Sequence, residues 1–139
     1  RARLVGSEMC IRDSPKSEYL TSKLENGTYS MYHQQYQMAL KLFTDIIKED
    51  PKWAEGWNKR ATLLFIMGNY EKSLDDIEKV LDLEPRHFGA LSGRAQIYLS
   101  YKQYEKAIDD LRKAKSIYPL IKSGENIRLI EKIIKEQQI

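Results

Sequence analysis

Residues 54–87 read AEGWNKRATLLFIMGNYEKSLDDIEKVLDLEPRH, and residues 88–121 read FGALSGRAQIYLSYKQYEKAIDDLRKAKSIYPLI. Laid over each other without a gap, these 34-residue stretches agree at nine positions, among them Arg60/Arg94, Ala61/Ala95, Glu71/Glu105, Lys72/Lys106 and the doublets Asp75-Asp76/Asp109-Asp110. The period continues upstream: Pro51, Pro85 and Pro119 are 34 apart, and so are Tyr36, Tyr70 and Tyr104, the small residues Ala39, Ser73 and Ala107, and the apolar Phe43, Ile77 and Leu111. A fixed period of this length is the signature of a repeat array in which each unit is one supersecondary element.

Inside a period the apolar residues recur at helical spacing, as in Trp57, Ala61, Leu64 and then Leu74, Ile77, Val80, Leu81, which marks two amphipathic helices per unit. A turn at Gly68-Asn69 separates them. Each proline stands after the second helix, where its fixed φ and missing N–H end that helix. The spacing predicts helices at about 16–33, 36–49, 53–67, 70–83, 88–101, 104–117 and 123–138.

These residues resemble the tetratricopeptide repeat family, whose 34-residue pattern carries Trp, Leu-Gly, Tyr, Ala, Phe and Pro. In the middle unit Trp57, Ala61, Leu64, Gly68, Tyr70, Ser73, Ile77 and Pro85 take the family's places, and in the third Leu91, Ala95, Tyr98, Tyr104, Ala107, Leu111 and Pro119 do. The first unit departs: Lys23, Asn26, Gly27 and Ser30 replace most of the first-helix signature, while Tyr36, Ala39, Phe43 and Pro51 keep the second-helix one. Trp57-Asn58-Lys59-Arg60-Ala61-Thr62 and the run Glu84 to Gly93 are also similar to small bacterial tetratricopeptide proteins, some of them exported. The resemblance implies an all-α, right-handed solenoid of three helix pairs, with units at about 20–53, 54–87 and 88–121, in a domain spanning 15–139.

One helix pair cannot bury its apolar face alone, and about three are needed before neighbours form a continuous core. The last unit would still show an apolar side to water. Residues 123–138 answer this with Ile127, Ile130, Ile133 and Ile134 on one face, Ser123 as a candidate N-cap and Glu125 in the first turn, and they read as a capping helix. Arg60 and Arg94 stand where the family pattern has leucine, and Asp76 and Asp110 recur in step with them. The expectation is a structural Arg–Asp pair in each unit, joined by bidentate hydrogen bonds.

In solenoids of this family the first helices line the concave face. The resemblance therefore makes Glu55, Asn58, Lys59, Thr62, Phe65, Ser92, Gln96 and Leu99 the candidate peptide-binding groove, with Ile66, Gly89, Gly93 and Ser100 beside them and Thr28, Met31 and Tyr32 from the first unit. Amides, hydroxyls and a few large apolar groups suit an extended or helical peptide. Gly89 and Gly93, one turn apart in a helix, imply close approach by a neighbouring helix or by a ligand chain, and His87 can cap the same helix. Some family members grip a chaperone's C-terminal carboxylate with lysine, asparagine and arginine. Here Leu24, Thr28, Lys59, Gly89 and Gly93 occupy those places, so a chaperone-tail adaptor is not expected.

Composition narrows the classes further. The chain has 139 residues, 42% of them hydrophobic, with 23 Lys and Arg interleaved among 20 Asp and Glu; a basic stripe with stacking aromatics, which RNA binding would want, is absent from the sequence. The longest apolar run, Leu63 to Met67, falls far short of the roughly 20 residues that span a membrane. His33 and His87 sit at different unit boundaries with no metal-ligand spacing around them, and no glycine-rich phosphate loop occurs, so neither catalytic residues, a metal nor a cofactor is expected. Residues 1–14 form a separate expectation. Leu4 to Ser14 resembles a translated DNA-sequencing adapter, which removes Cys10, the single cysteine, from consideration and places the genuine start near Pro15. The reading is a non-catalytic protein-interaction module of bacterial cytoplasm or periplasm that binds a peptide in its groove. An assembly or homo-oligomerisation arm is the alternative, and RNA binding is the remoter one.

Overall fold

The structure, a computed structural model, describes residues 15–119 and 124–138. The adapter-like segment 1–14, Cys10 within it, and the candidate cap Ser123 lie outside the described residues. Seven helices are described: α1 (Pro15–Tyr32), α2 (Tyr36–Glu49), α3 (Ala54–Ile66), α4 (Tyr70–Leu83), α5 (Phe88–Ser100), α6 (Tyr104–Ile117) and α7 (Gly124–Gln137). They pair as hairpins α1–α2, α3–α4 and α5–α6; each second helix packs on the next first helix, α7 packs on α6, and the first helices also touch along one face. The result is an all-α helical-repeat solenoid.

The turn inside each hairpin is built the same way three times. Gln34, Gly68 and Lys102, each 34 residues from the next, adopt positive φ of 62°, 83° and 59°. The following N–H reaches back to a carbonyl at the end of the first helix in every unit: Gln35 to Ser30, Asn69 to Leu64 and Gln103 to Tyr98, all at 2.8 Å. This is a left-handed cap that satisfies a carbonyl the helix end leaves free. Glycine meets the requirement without strain only in the middle unit. The connection between units also repeats, with Asp50, Glu84 and Tyr118 extended before the three prolines at φ −140°, −138° and −133°, as the pre-proline position favours.

The core runs through the stack as three linked clusters. Phe43, Ile46 and Leu63 anchor the first, Ile77, Val80 and Ile97 the second, and Ala95, Ala107 and Leu111 the third, which Ile127 and Ile130 of α7 cover. Small residues let the hairpins close. Ala39, Ser73 and Ala107 are buried where the two helices cross, and Ser73 satisfies its hydroxyl by donating to the Ala61 carbonyl at 2.7 Å. The first unit, whose first-helix signature is weak, closes by an exchange of volume. Its Gly27 stands where Ala61 and Ala95 stand later, and a Cβ there would lie 2.6 Å from Phe43, whose ring is larger than the equivalent Ile77 and Leu111. Met31, expected on the concave face, is instead 3% exposed and belongs to this first cluster.

Candidate functional site

Between α3 and α5 a cleft of about 210 Å³ opens, lined by Asn58, Ala61, Thr62 and Phe65 of α3, Ser73 and Ile77 of α4, and Gly89, Ala90, Gly93, Gln96 and Ile97 of α5. It exists because two first helices that touch near their buried sides carry different surfaces above the contact. Asn58, Thr62 and Phe65 rise from α3, while α5 presents two glycines in its first turns. The floor is apolar and every lining residue is uncharged. Among the described residues the side-chain amides of Asn58 and Gln96 find no hydrogen-bond partner in the protein, whereas Thr62 donates to the Asn58 carbonyl at 3.0 Å and is held in place. Phe65 is half-buried and stacks on Tyr70, with ring centres 5.2 Å apart, so it forms a fixed wall.

Four candidate groove residues, Asn58, Thr62, Phe65 and Gln96, are thus brought together, and four lie elsewhere. Glu55 faces His87 at 3.5 Å across the first turns of α3 and α5. Lys59 stays on α3 beside Glu55, whose ionised form it supports. Ser92 is half-buried outside the cleft, and Leu99 packs against the third core cluster. Of the cleft floor, Ile77 was legible only as an apolar repeat position, and Ala90 and Ile97 were not singled out by the sequence.

His87 does two jobs at once. Its Nδ1 accepts from the Ala90 N–H at 3.0 Å, capping α5, and its Nε2 points to Glu55. The neutral ring with the proton on Nε2 serves both partners. The hydrogen bond to Glu55 raises the His87 pKa above the ordinary histidine value, against the opposing effect of burial, and the same bond holds the Glu55 carboxyl below its ordinary range. The imidazole folds back over α5, so a Cβ at Gly89 would stand 3.2 Å from its Cε1.

On the side of α3 and α5 away from the cleft, each arginine meets its aspartate. Arg60 donates from Nε and Nη2 to the two oxygens of Asp76 at 2.8 and 2.9 Å, and Arg94 does the same to Asp110 at 2.8 and 2.9 Å. Asp76 and Asp110 are buried, at 4% and 3% exposure. The third nitrogen reaches the preceding unit: Arg60 to Thr44 at 3.4 Å and Arg94 to Glu78 at 2.7 Å. Thr44 and Glu78 are again 34 residues apart. Each pair joins the two helices of one hairpin, the third nitrogen reaches back to the hairpin before it, and neither pair lines the cleft. Among the described residues no group of three or more His, Cys, Asp or Glu could hold a metal ion, and no helix is long and apolar enough to cross a membrane.

Two family models described as tetratricopeptide repeat match residues 54–87 and 89–119. These two units are tetratricopeptide repeats. A TPR repeat-containing protein of Rhizobium etli is 60% identical over 53 residues, which make up 38% of this chain and 26% of that protein. The Hsp70-Hsp90 organizing protein 1 of Glycine max is 31% identical over 88 residues, 60% of this chain and 15% of the relative. The matches therefore span about a quarter or less of the curated relatives' length. Among solved structures, the first TPR of Spaghetti (RPAP3) bound to an HSP90 peptide superposes with a TM-score of 0.79 at 19% identity, covering 86% of this chain and 95% of that one. The Sgt2 TPR domain from Aspergillus fumigatus gives 0.76 at 20% identity over 90% of this chain and 83% of that one. At such identities the likeness is one of fold.

Proposed function

We propose that this module binds a peptide segment of another polypeptide in the cleft between α3 and α5. The supporting observation is the pair of unpartnered amides, Asn58 and Gln96, flanking an apolar floor in a cleft with fixed walls. A side-chain amide can accept from and donate to a peptide backbone at the same time, and an apolar floor takes a side chain. The peptide of the RPAP3 complex, SRMEEVD, carries three acidic residues. The cleft of this chain offers no cation to such a ligand, so the partner segment differs in charge from that one.

The test is a selection of peptides displayed from a random octapeptide library on the full chain, followed by titration of the winners against the Asn58→Ala/Gln96→Ala variant. Binding weakened at least tenfold, with the melting temperature of the variant unchanged, supports groove recognition. Undiminished binding places the peptide elsewhere and overturns it.

A further inference from the structure

The four helical glycines of the three hairpins, α1 to α6, do not meet the same kind of neighbour, and one of them has no packing reason to be glycine. Glycine inside a helix is unfavourable relative to alanine, so each such position calls for compensation. Gly27 and Gly56 have it in close packing: a Cβ would stand 2.6 Å from the Phe43 ring and 2.9 Å from Ile46 Cγ2. Gly89 has it in the imidazole of His87, 3.2 Å away. At Gly93 the nearest atom to an added Cβ is Ile77 Cδ1 at 3.9 Å, an ordinary van der Waals contact with room to spare. No helix needs the glycine, yet it faces the cleft. The equivalent position in the preceding unit, 34 residues upstream, carries Lys59, and a side chain of that size at 93 would fill the space.

We infer that Gly93 is a specificity-determining residue: by carrying no side chain it leaves the cleft open to one uncharged aliphatic side chain, presented by an internal segment of a partner polypeptide. This deepens the groove reading and rests on it. Three observations fix the occupant's chemistry. The lining holds no charge, so a carboxylate or ammonium would give up its water there without a counter-charge. The floor of Ala61, Ile77, Ala90 and Ile97 rewards apolar contact. At about 210 Å³ the cleft is smaller than the roughly 300 Å³ where small-molecule pockets begin, which suits a single side chain, with Asn58 and Gln96 placed to hold the backbone beside it.

The experiment uses the octapeptide library displayed with both ends fused, so that no free carboxylate is present, and the full chain with Gly93→Leu and Gly93→Ala. The expected consensus has one Leu, Ile, Val or Met. A synthetic consensus octapeptide, acetylated and amidated, should bind Gly93→Leu at least tenfold more weakly and lose as much when its aliphatic residue becomes Gly or Asp. Gly93→Ala should melt about 2–4 °C higher than the parent, from the helix preference of alanine, and bind a few-fold more weakly. If Gly93→Leu loses its helical circular dichroism, Gly93→Ala decides: a higher melting temperature with weaker binding supports the inference, and unchanged binding overturns it. An acidic consensus, or equal affinity of parent and Gly93→Leu for the same octapeptide, overturns it too. Should octapeptides bind, depend on Asn58 and Gln96, and ignore Gly93, the groove reading stands and the anchor falls. If the library yields no binder, both fall. A dimer in light scattering that Gly93→Leu dissolves would make a second copy the occupant and overturn the commitment to a partner segment.

Discussion

Asp76→Ala is the substitution whose effect the structure determines most directly. Asp76 is 4% exposed and both its oxygens are taken by Arg60. Without the carboxylate, the guanidinium remains in the wall between hairpins with Thr44 at 3.4 Å as its remaining hydrogen-bond acceptor. Removing one partner of a buried ion pair costs about 3–5 kcal/mol, because the surviving charge is uncompensated. Arg60 keeps 22% of its side chain exposed, which places the loss toward the lower end, about 3 kcal/mol. For a domain of this size that is a fall of about 10 °C or more in melting temperature. Asp110→Ala should cost less, since Arg94 retains Glu78 at 2.7 Å. Exchanging both members, Arg60→Met with Asp76→Leu, removes the charge and the orphan together and should return most of the loss. Thermal melts followed by circular dichroism, with urea titrations to confirm a constant m-value, measure all of this. An Asp76→Ala protein melting within about 2 °C of the parent, or a double variant as unstable as the single one, would refute the assignment of the pair as a buried structural tie.

Three further outcomes are expected. Gln34→Gly and Lys102→Gly should each stabilise by about 0.5–1 kcal/mol, since both residues hold a left-handed conformation that costs an L side chain about 1–2 kcal/mol; a loss of stability in urea would show that their side chains matter more than their φ. Gly27→Ala should cost about 1–3 kcal/mol by pushing on the Phe43 ring, and Phe43→Leu in the same chain should recover part of it; a silent Gly27→Ala would contradict the packing. His87 should titrate above the ordinary histidine value and Glu55 below its own. The raised histidine contributes stability that is full below its unfolded value of 6.5 and fades as pH rises through the folded one. The depressed glutamate contributes above its unfolded value of 4.5 and fades as pH falls. Their joint support is therefore greatest between these limits, and protonation of Nδ1, which removes the cap on Ala90, restrains the rise. In Glu55→Gln the His87 titration followed by NMR should move down; an unmoved titration would disconnect the two groups.

The helices were readable because punctuation and period coincide. Proline ends each second helix through its own backbone, and apolar spacing marks the buried face, so expected and observed bounds differ by no more than one residue, as at 53–67 against Ala54–Ile66. The inner turns were readable only once, at Gly68, because Gln34 and Lys102 adopt the same left-handed state under pressure from the hairpin and not from their own preference. The first unit's departure was visible as Gly27 without its cause, since the ring that needs the space belongs to Phe43, sixteen residues on and in another helix. For the site, the helix face could be named but not the cleft. Asn58, Thr62, Phe65 and Gln96 share an opening because of how α3 and α5 cross, and Leu99 leaves it because α6 and α7 supply a core for it to join.

The proposed recognition surface and the contacts of cohesion fall on different sides of the same helix. On α3 the residues Trp57, Arg60 and Leu64 turn toward α2 and α4, where the ion pair joins the two helices of the hairpin and the third guanidinium nitrogen reaches Thr44 of the unit before, while Asn58 and Thr62 turn toward α5 and the cleft. Changing the cleft-facing amide therefore removes no contact on which the stack depends. Phe65 is the exception, since it lines the cleft and also packs on the second cluster and on Tyr70. Its truncation should lower stability and binding together, so it cannot report on recognition. Asn58 and Gln96, free of internal partners, can, because a loss of affinity in a chain that melts like the parent would come from the bonds proposed for them to the peptide.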